Sequence, residues 1–129
     1  MKKFFTLIVF LIVTLANVNK AYSIEADVFV QSTVNRAAKT LGGTLTKEQR
    51  VEKLKDIARD TVDIDGIGFY SLGAHRKNLT EEQIATYKKV FSEYFLKSFS
   101  SRLAEYSNPE IEVNSKKKVN KNYTIVSST

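Results

Sequence analysis

Apolar side chains recur every three or four residues along several stretches of this chain, and that period predicts helices. The first helix is predicted over residues 27–41, with Asp27 as its N-cap and a Gly-Gly pair after its last turn. A second helix begins after Thr46, because Thr46-Lys47-Glu48-Gln49 is typical of a capping box. The side chains expected to face inward are Val30, Val34, Ala37, Ala38 and Leu41 in the first helix, and Val51, Leu54, Ile57, Ala58 and Val62 in the second.

The longest periodic segment covers residues 81–106 and follows a second capping box that begins at Thr80. We expect Pro109 to end this helix together with the residue before it, because proline disfavours a helical conformation there. Residues 64–72 are apolar and contain two glycines, which predicts a short buried helix with close packing. The long helix has one wide apolar stripe, consisting of Ile84, Tyr87, Phe91, Phe95, Phe99, Leu103 and Tyr106, with Val90 and Tyr94 beside it.

After the proline the helical period gives way to strand-like segments. Residues 110–114 alternate polar and apolar side chains, and residues 123–128 form a second predicted strand. The segment NSKKKVNKN between them is then the hairpin connection, which would explain its run of lysines. Because two strands form at best a marginal sheet, we expect this chain to be the N-terminal part of a longer protein.

Residues 1–23 have the three parts of a secretory signal peptide: a positive start, an apolar run at residues 4–16, and small residues before a cleavage site. We expect cleavage after Ser23, or alternatively after Ala26. The apolar run is shorter than the ~18–20 residues needed to cross a bilayer, which argues against a membrane anchor. Because the chain contains no cysteine, a lipidated cysteine, disulfides and thiolate metal sites are all excluded.

Removing 23 residues from the total of 129 would leave 106, enough for one small domain. Three lysines in residues 1–23 account for half of the net charge of +6. Four more lysines lie in one short run at residues 116–121, so the rest of the mature domain is close to neutral, at −1. A nucleic-acid-binding protein would spread basic residues over a binding face, so both charge and export argue against that class.

The chain offers little catalytic chemistry. Its single histidine, His75, lies between residues 64–72 and the second capping box, and no nucleophile or base partner is recognisable. We interpret it as a surface or structural residue near a helix end, where the basic residues that follow suit the helix dipole. Asp60, Asp63 and Asp65 lack a nearby histidine and the further ligands of a calcium loop, so they are interpreted as a solvated helix end.

The stretch SLGAHRKNLTEEQIATYKKVFSEYFLKSFSSRLAEY contains Leu72-Gly73 at the end of a short helix, a basic residue at Arg76, and the Thr80-x-x-Gln83 cap. A series of regularly spaced aromatic residues follows: Tyr87, Phe91, Tyr94, Phe95, Phe99 and Tyr106. In this order and spacing the segment resembles the MlaC family of periplasmic phospholipid carriers, also called toluene-tolerance or ABC-transporter auxiliary proteins. The preceding DIDGIGFYSLG and the signal peptide are also similar to the family, and the likeness covers most of residues 27–113.

The resemblance implies an α+β fold in which helices pack on a curved antiparallel sheet, with a deep apolar pocket for acyl chains between them. It implies a phospholipid-binding domain at residues 24–129 that is truncated at its C-terminus, mostly helical, with an incomplete sheet. The implied function is to carry phospholipid through the periplasm between an outer-membrane lipoprotein complex and an inner-membrane ABC transporter, which maintains outer-membrane lipid asymmetry. Phospholipid would be the cargo, and no cofactor, metal or catalysis is implied.

The stripe and the resemblance together assign six side chains to the lipid pocket: Ile67, Tyr70, Phe91, Phe95, Phe99 and Tyr106. Two alternatives stay open. One is an exported helical interaction or structural protein with a filled core and no ligand, which retained lipid would distinguish from a carrier. The other is a small exported enzyme on a related cone-shaped α+β fold, which would need His75 paired with an aspartate.

Overall fold

The computed structural model describes residues 24–129, so the signal peptide predicted for residues 1–23 lies outside the described part. The elements are α1 (Ala26–Gly42), α2 (Lys47–Thr61), α3 (Ile64–Ser71), a 3₁₀ helix (Gly73–Asn78), α4 (Glu81–Leu103), β1 (Val113–Lys118) and β2 (Thr124–Ser128). About 65% of the structure is helical, and β1 and β2 form a two-stranded antiparallel sheet. This is the predicted α+β class with an incomplete sheet.

Both predicted capping boxes are confirmed. At the start of α2, the Thr46 hydroxyl accepts from the Gln49 N–H at 3.3 Å, and the Gln49 Oε1 accepts from the Thr46 N–H at 3.0 Å. At the start of α4, the corresponding distances between Thr80 and Gln83 are 3.2 and 2.9 Å. Each box satisfies two backbone N–H groups, one in the first helical turn and one at the cap itself.

The predicted cap of α1 is wrong. The helix begins at Ala26, and Glu25 occupies the N-cap position without a hydrogen bond from its side chain. Asp27 lies inside the first turn. Its negative charge still suits this helix, because the N-terminal end of the helix dipole is positive.

Two apolar clusters hold the four helices together. Leu41, Leu54, Ile57 and Ala104 join α1, α2 and the end of α4. Ala58, Ile64 and Leu96 join α2, α3 and the middle of α4. The most buried positions on α4 and its C-cap are Leu96, Ser100 and Ala104. None of these three belongs to the predicted aromatic stripe.

The predicted end of the long helix is also wrong. α4 stops at Leu103, and the chain turns through Asn108, which has a φ of 48°. Asparagine tolerates this left-handed conformation better than most residues, so the reversal occurs there and the helix ends before it. Tyr106 therefore lies beyond α4, in a turn where its N–H donates to the Leu103 carbonyl at 3.1 Å.

α3 is only partly the buried helix that its composition predicts. Ile64 and Gly68 are buried, whereas Ile67, Phe69 and Tyr70 are exposed. Four helical residues are close to one turn, so Ile64 and Gly68 share the face that packs inward and the residues between them do not.

The hairpin is confirmed, but the lysine run is not its connection. Lys116, Lys117 and Lys118 lie in β1, opposite Val126, Ile125 and Thr124 respectively. The connection is residues 119–123. The hairpin packs against α1, and Lys116 Nζ lies 2.7 Å from Glu25 Oε2 and 2.9 Å from Asp27 Oδ1. Among residues 24–129, no helix combines the length and the apolar character that crossing a bilayer requires.

Candidate functional site

Four aromatic rings stack along one side of α4. Tyr87, Phe91, Phe95 and Phe99 follow one another at intervals of four residues, and their neighbouring ring centroids are 5.8, 6.1 and 5.4 Å apart. The interplanar angles are 28°, 25° and 10°, so the rings are close to parallel. These separations are favourable for aromatic pairs, and twelve residues of helix give this stack of four rings, the aromatic ladder, a length of roughly 18 Å.

The aromatic ladder winds around the helix. Four residues exceed one helical turn by roughly 40°, so three steps rotate the direction of the rings by roughly 120°. Phe91 and Phe95 pack against the cluster of Ala58, Ile64 and Leu96. Phe99, at the other end, is 37% exposed. The inner part of the aromatic ladder thus belongs to the core, and its outer end faces solvent.

Gly68 makes room for the inner part. A Cβ at position 68 would lie 2.7 Å from Phe91 Cδ1 and 3.1 Å from Phe91 Cγ. The absence of a side chain at position 68 therefore allows the Phe91 ring to lie directly against α3.

A hydrogen bond between two hydroxyl groups lies at the α3 end of the aromatic ladder. Ser71 Oγ donates to the Gly68 carbonyl at 2.8 Å and lies 2.8 Å from the Tyr87 hydroxyl. Because the Ser71 proton is already used, the Tyr87 hydroxyl donates in the second bond. This pair fixes the Tyr87 ring at the α3 end of the stack.

The structure brings together three of the six predicted pocket residues. Phe91, Phe95 and Phe99 stand in the aromatic ladder. Ile67 and Tyr70 are exposed on α3, and Tyr106 is exposed beyond the end of α4. The stack also contains Tyr87, which is not among the six predicted residues. Its spacing of four residues from Phe91 could have indicated from the sequence that the two rings are neighbours.

Tyr87, Phe91 and Phe95 are half-buried, and Phe99 is the exposed ring of the aromatic ladder. Three surface depressions lie on the outer side of α1, between the start of α1 and the hairpin, and between α3 and α4. No aromatic residue lines any of these three. Phe99 is therefore the ring of the aromatic ladder that a ligand could reach most easily.

The Phe69 ring makes cation–π contacts that the sequence pattern does not predict. The Arg76 guanidinium carbon lies 5.2 Å from the centroid of this ring, and Lys88 Nζ lies 5.8 Å from the same centroid. Both distances suit cation–π attraction, which holds the 3₁₀ helix, α3 and α4 together. Arg76 therefore has a structural role within a segment that resembles the family.

The residues considered for catalysis have structural contacts. His75 is exposed in the 3₁₀ helix, where its N–H donates to the Leu72 carbonyl at 3.1 Å. Asp60 pairs with Arg36 at 2.7 Å. Asp63 caps α3 by accepting from the Gly66 N–H at 2.9 Å, and Asp65 lies 3.7 Å from Lys88. Within residues 24–129, no group of three metal-binding side chains comes together.

These features define a small α+β protein whose longest helix carries four stacked aromatic rings, half-buried at one end of the stack and exposed at the other. The chain belongs to the MlaC family, whose model, described as MlaC protein, matches residues 29–129. Proteins of this family bind phospholipid, work with transporter components and are periplasmic, and the family is not known as an enzyme family. No curated protein and no solved structure matches the chain significantly.

Proposed function

We propose that this protein is a soluble periplasmic phospholipid carrier, exported by a signal peptide that is cleaved near Ser23. In this proposal it exchanges phospholipid with an inner-membrane ABC transporter complex and an outer-membrane lipoprotein complex, and so maintains outer-membrane lipid asymmetry. The observation that carries the proposal is the aromatic ladder, a stacked apolar strip in a chain of the MlaC family.

The strip has a suitable scale for an acyl chain. Each methylene removed from water stabilises a complex by about 0.8 kcal/mol, so ten would give about 8 kcal/mol. That is about the free energy of micromolar binding, before the entropic costs of association are subtracted. Phe91, Phe95 and Phe99 are the proposed contacts. Ile67, Tyr70 and Tyr106 are proposed to extend the apolar surface, because they are exposed on α3 and just beyond α4.

One observation favours the alternative of a ligand-free interaction or structural protein. Phe91 and Phe95 already pack against the buried cluster that joins α2, α3 and the middle of α4, so this part of the aromatic ladder has a structural role without any lipid. The carrier proposal therefore depends most on the outer end of the aromatic ladder, where Phe99 is accessible.

Native mass spectrometry of the protein expressed with its own signal and purified from the periplasm tests the proposal. The polypeptide mass identifies the cleavage site, and adducts of phospholipid mass report cargo. Phe99→Asp places a charge at the outer end of the aromatic ladder and is expected to remove most of the lipid. Tyr94→Asp is the matched control, because Tyr94 is on the same helix and 68% exposed but is not stacked in the aromatic ladder.

Lipid adducts on the wild-type protein and on Tyr94→Asp, together with their loss from Phe99→Asp, would support the carrier. A folded wild-type protein without lipid, or equal lipid on Phe99→Asp and the wild type, would contradict it. Circular dichroism of all three proteins shows whether any loss of lipid is instead a loss of fold.

A further inference from the structure

The hairpin presents two faces of different character. Side chains alternate along a strand, and directly paired residues share a face. Lys116 and its partner Val126 face α1, since Lys116 contacts two carboxylates there and Val126 is partly buried. Lys117 and its partner Ile125 therefore lie on the opposite face, which we call the outer hairpin face.

The outer hairpin face is apolar around its lysine. The Val119 N–H donates to the Tyr123 carbonyl at 2.9 Å, which continues the pairing beyond the ends of the strands. Alternation then places Val119 and Tyr123 on the same face as Lys117 and Ile125. Val119 is 55% exposed, Tyr123 69% and Ile125 57%, so three large apolar side chains face solvent side by side.

Positive charge is concentrated at the same end of the hairpin, with Lys117 on the outer hairpin face and Lys118, by the same alternation, on the face of Lys116. Lys116 is neutralised by Glu25 and Asp27. Lys117, Lys118 and Lys121 have no carboxylate oxygen within 4.0 Å among the described residues, so the end of the hairpin carries three unneutralised charges.

We propose that the outer hairpin face and these three lysines bind the surface of an anionic lipid bilayer. Tyrosine and aliphatic side chains are favourable at the level of the lipid headgroups, and nearby lysines are attracted by anionic phosphates. An acidic protein would attract the lysines as well, but the exposed apolar side chains next to Lys117 also suit the interfacial layer of a membrane. With few charges and a small apolar area, the contact is weak and reversible. This inference goes beyond the carrier proposal and does not require the aromatic ladder to bind lipid.

Co-sedimentation of the mature protein with vesicles tests the inference. The vesicles are phosphatidylcholine, alone or with about 30 mol% phosphatidylglycerol to supply anionic headgroups. We expect binding to the anionic vesicles to be at least about tenfold tighter, and to weaken at roughly 0.5 M salt, where charges are screened over about 4 Å.

Two triple variants with the same change of net charge separate a local site from a general charge effect. Lys117→Gln, Lys118→Gln and Lys121→Gln together should weaken binding to anionic vesicles by about tenfold or more. Lys53→Gln, Lys89→Gln and Lys97→Gln together alter exposed lysines on α2 and α4, and should leave binding within about twofold of wild type.

Tyr123→Ser with Ile125→Thr tests the apolar side chains and should reduce the binding that persists at high salt.

Equal loss in the two triple variants, or equal binding to neutral and anionic vesicles, would overturn the inference. Absence of vesicle binding would also overturn it and leave an acidic protein as the partner to examine. Phe99→Asp separates this inference from the carrier proposal, because it should lose cargo while vesicle binding persists.

Discussion

At the scale of single residues, the ring of Phe91 lies in the space that a side chain at position 68 would fill. Gly68→Ala has two opposing effects. Alanine is more favourable than glycine in a helix by about 1 kcal/mol, but overpacking costs about 1–3 kcal/mol. The added Cβ would press on Phe91 Cγ as well as Cδ1, close to the backbone where the ring moves least. We expect a net loss of about 1 kcal/mol in the free energy of unfolding, measured by urea denaturation.

A second substitution tests this cause. Phe91→Ala removes the Cγ and Cδ1 atoms that a Cβ at position 68 would meet, so the two changes should partly compensate. The double variant is expected to be more stable than the sum of the two single effects predicts. Strict additivity would show that Gly68 matters for another reason, such as backbone conformation.

At the scale of elements, α4 begins at a capping box whose two hydrogen bonds both involve Thr80 and Gln83. Thr80→Ala removes the side-chain acceptor and should lower the free energy of unfolding by about 1 kcal/mol. Thr86→Ala is the control, since it makes the same substitution at an exposed position inside the same helix. Thermal unfolding followed by circular dichroism distinguishes them, and equal destabilisation by both would contradict a specific role for the cap.

The capping boxes were predictable because their chemistry is contained in four consecutive residues. The side of α4 that becomes most buried was not predictable from the sequence. Periodicity identifies the aromatic side of the helix, but the positions that become most buried depend on where α2 and α3 lie. Ser100 and Ala104 are small and weakly apolar, so periodicity gives no signal for them, yet both are fully buried.

The hairpin, too, could be predicted only in part from the sequence. Its existence follows from two short segments with strand character, whereas the position of its lysines follows from cross-strand pairing and from carboxylates far away in sequence. A run of three lysines looks like an exposed connection until Glu25 and Asp27 are known to lie next to Lys116. Of the six predicted pocket residues, Phe91, Phe95 and Phe99 could be placed next to one another from sequence alone, because they are spaced by four on one helix. The positions of Ile67, Tyr70 and Tyr106 relative to them could not be predicted in this way.

At the scale of the whole molecule, Lys116 links the hairpin to the start of α1 and makes that contact sensitive to pH. Hydrogen bonds to Glu25 and then Asp27 raise the pKa of Lys116 above its usual 10.5, so its contribution is complete below that pH and is lost as the pH rises through the raised pKa. The hydrogen bond from Lys116 lowers the pKa of Asp27 below 3.8, so that contribution is complete above this pH and is lost as the pH falls through the lowered pKa.

We therefore expect Lys116→Gln to have a lower Tm than wild type by an amount that is constant between roughly pH 5 and pH 9. The difference should shrink in strong acid and in strong alkali, where one partner of the bridge loses its charge. Lys117→Gln, one residue along the same strand but on the outer hairpin face, should leave the Tm close to wild type at every pH. A Tm difference for Lys116→Gln that is unaffected by acid would show that the ion pair is not its cause.

The same bridge makes the two predicted cleavage positions unequal. Cleavage after Ser23 would leave Glu25 and Asp27 in the mature protein, and both carboxylates would hold Lys116. Cleavage after Ala26 would remove Glu25 and the first residue of α1, and would place a new positively charged amino group on Asp27 itself. That charge would compete with Lys116 for the remaining carboxylate. In the proposed export, the position of the signal-peptidase cut would thus set how many carboxylates bind Lys116.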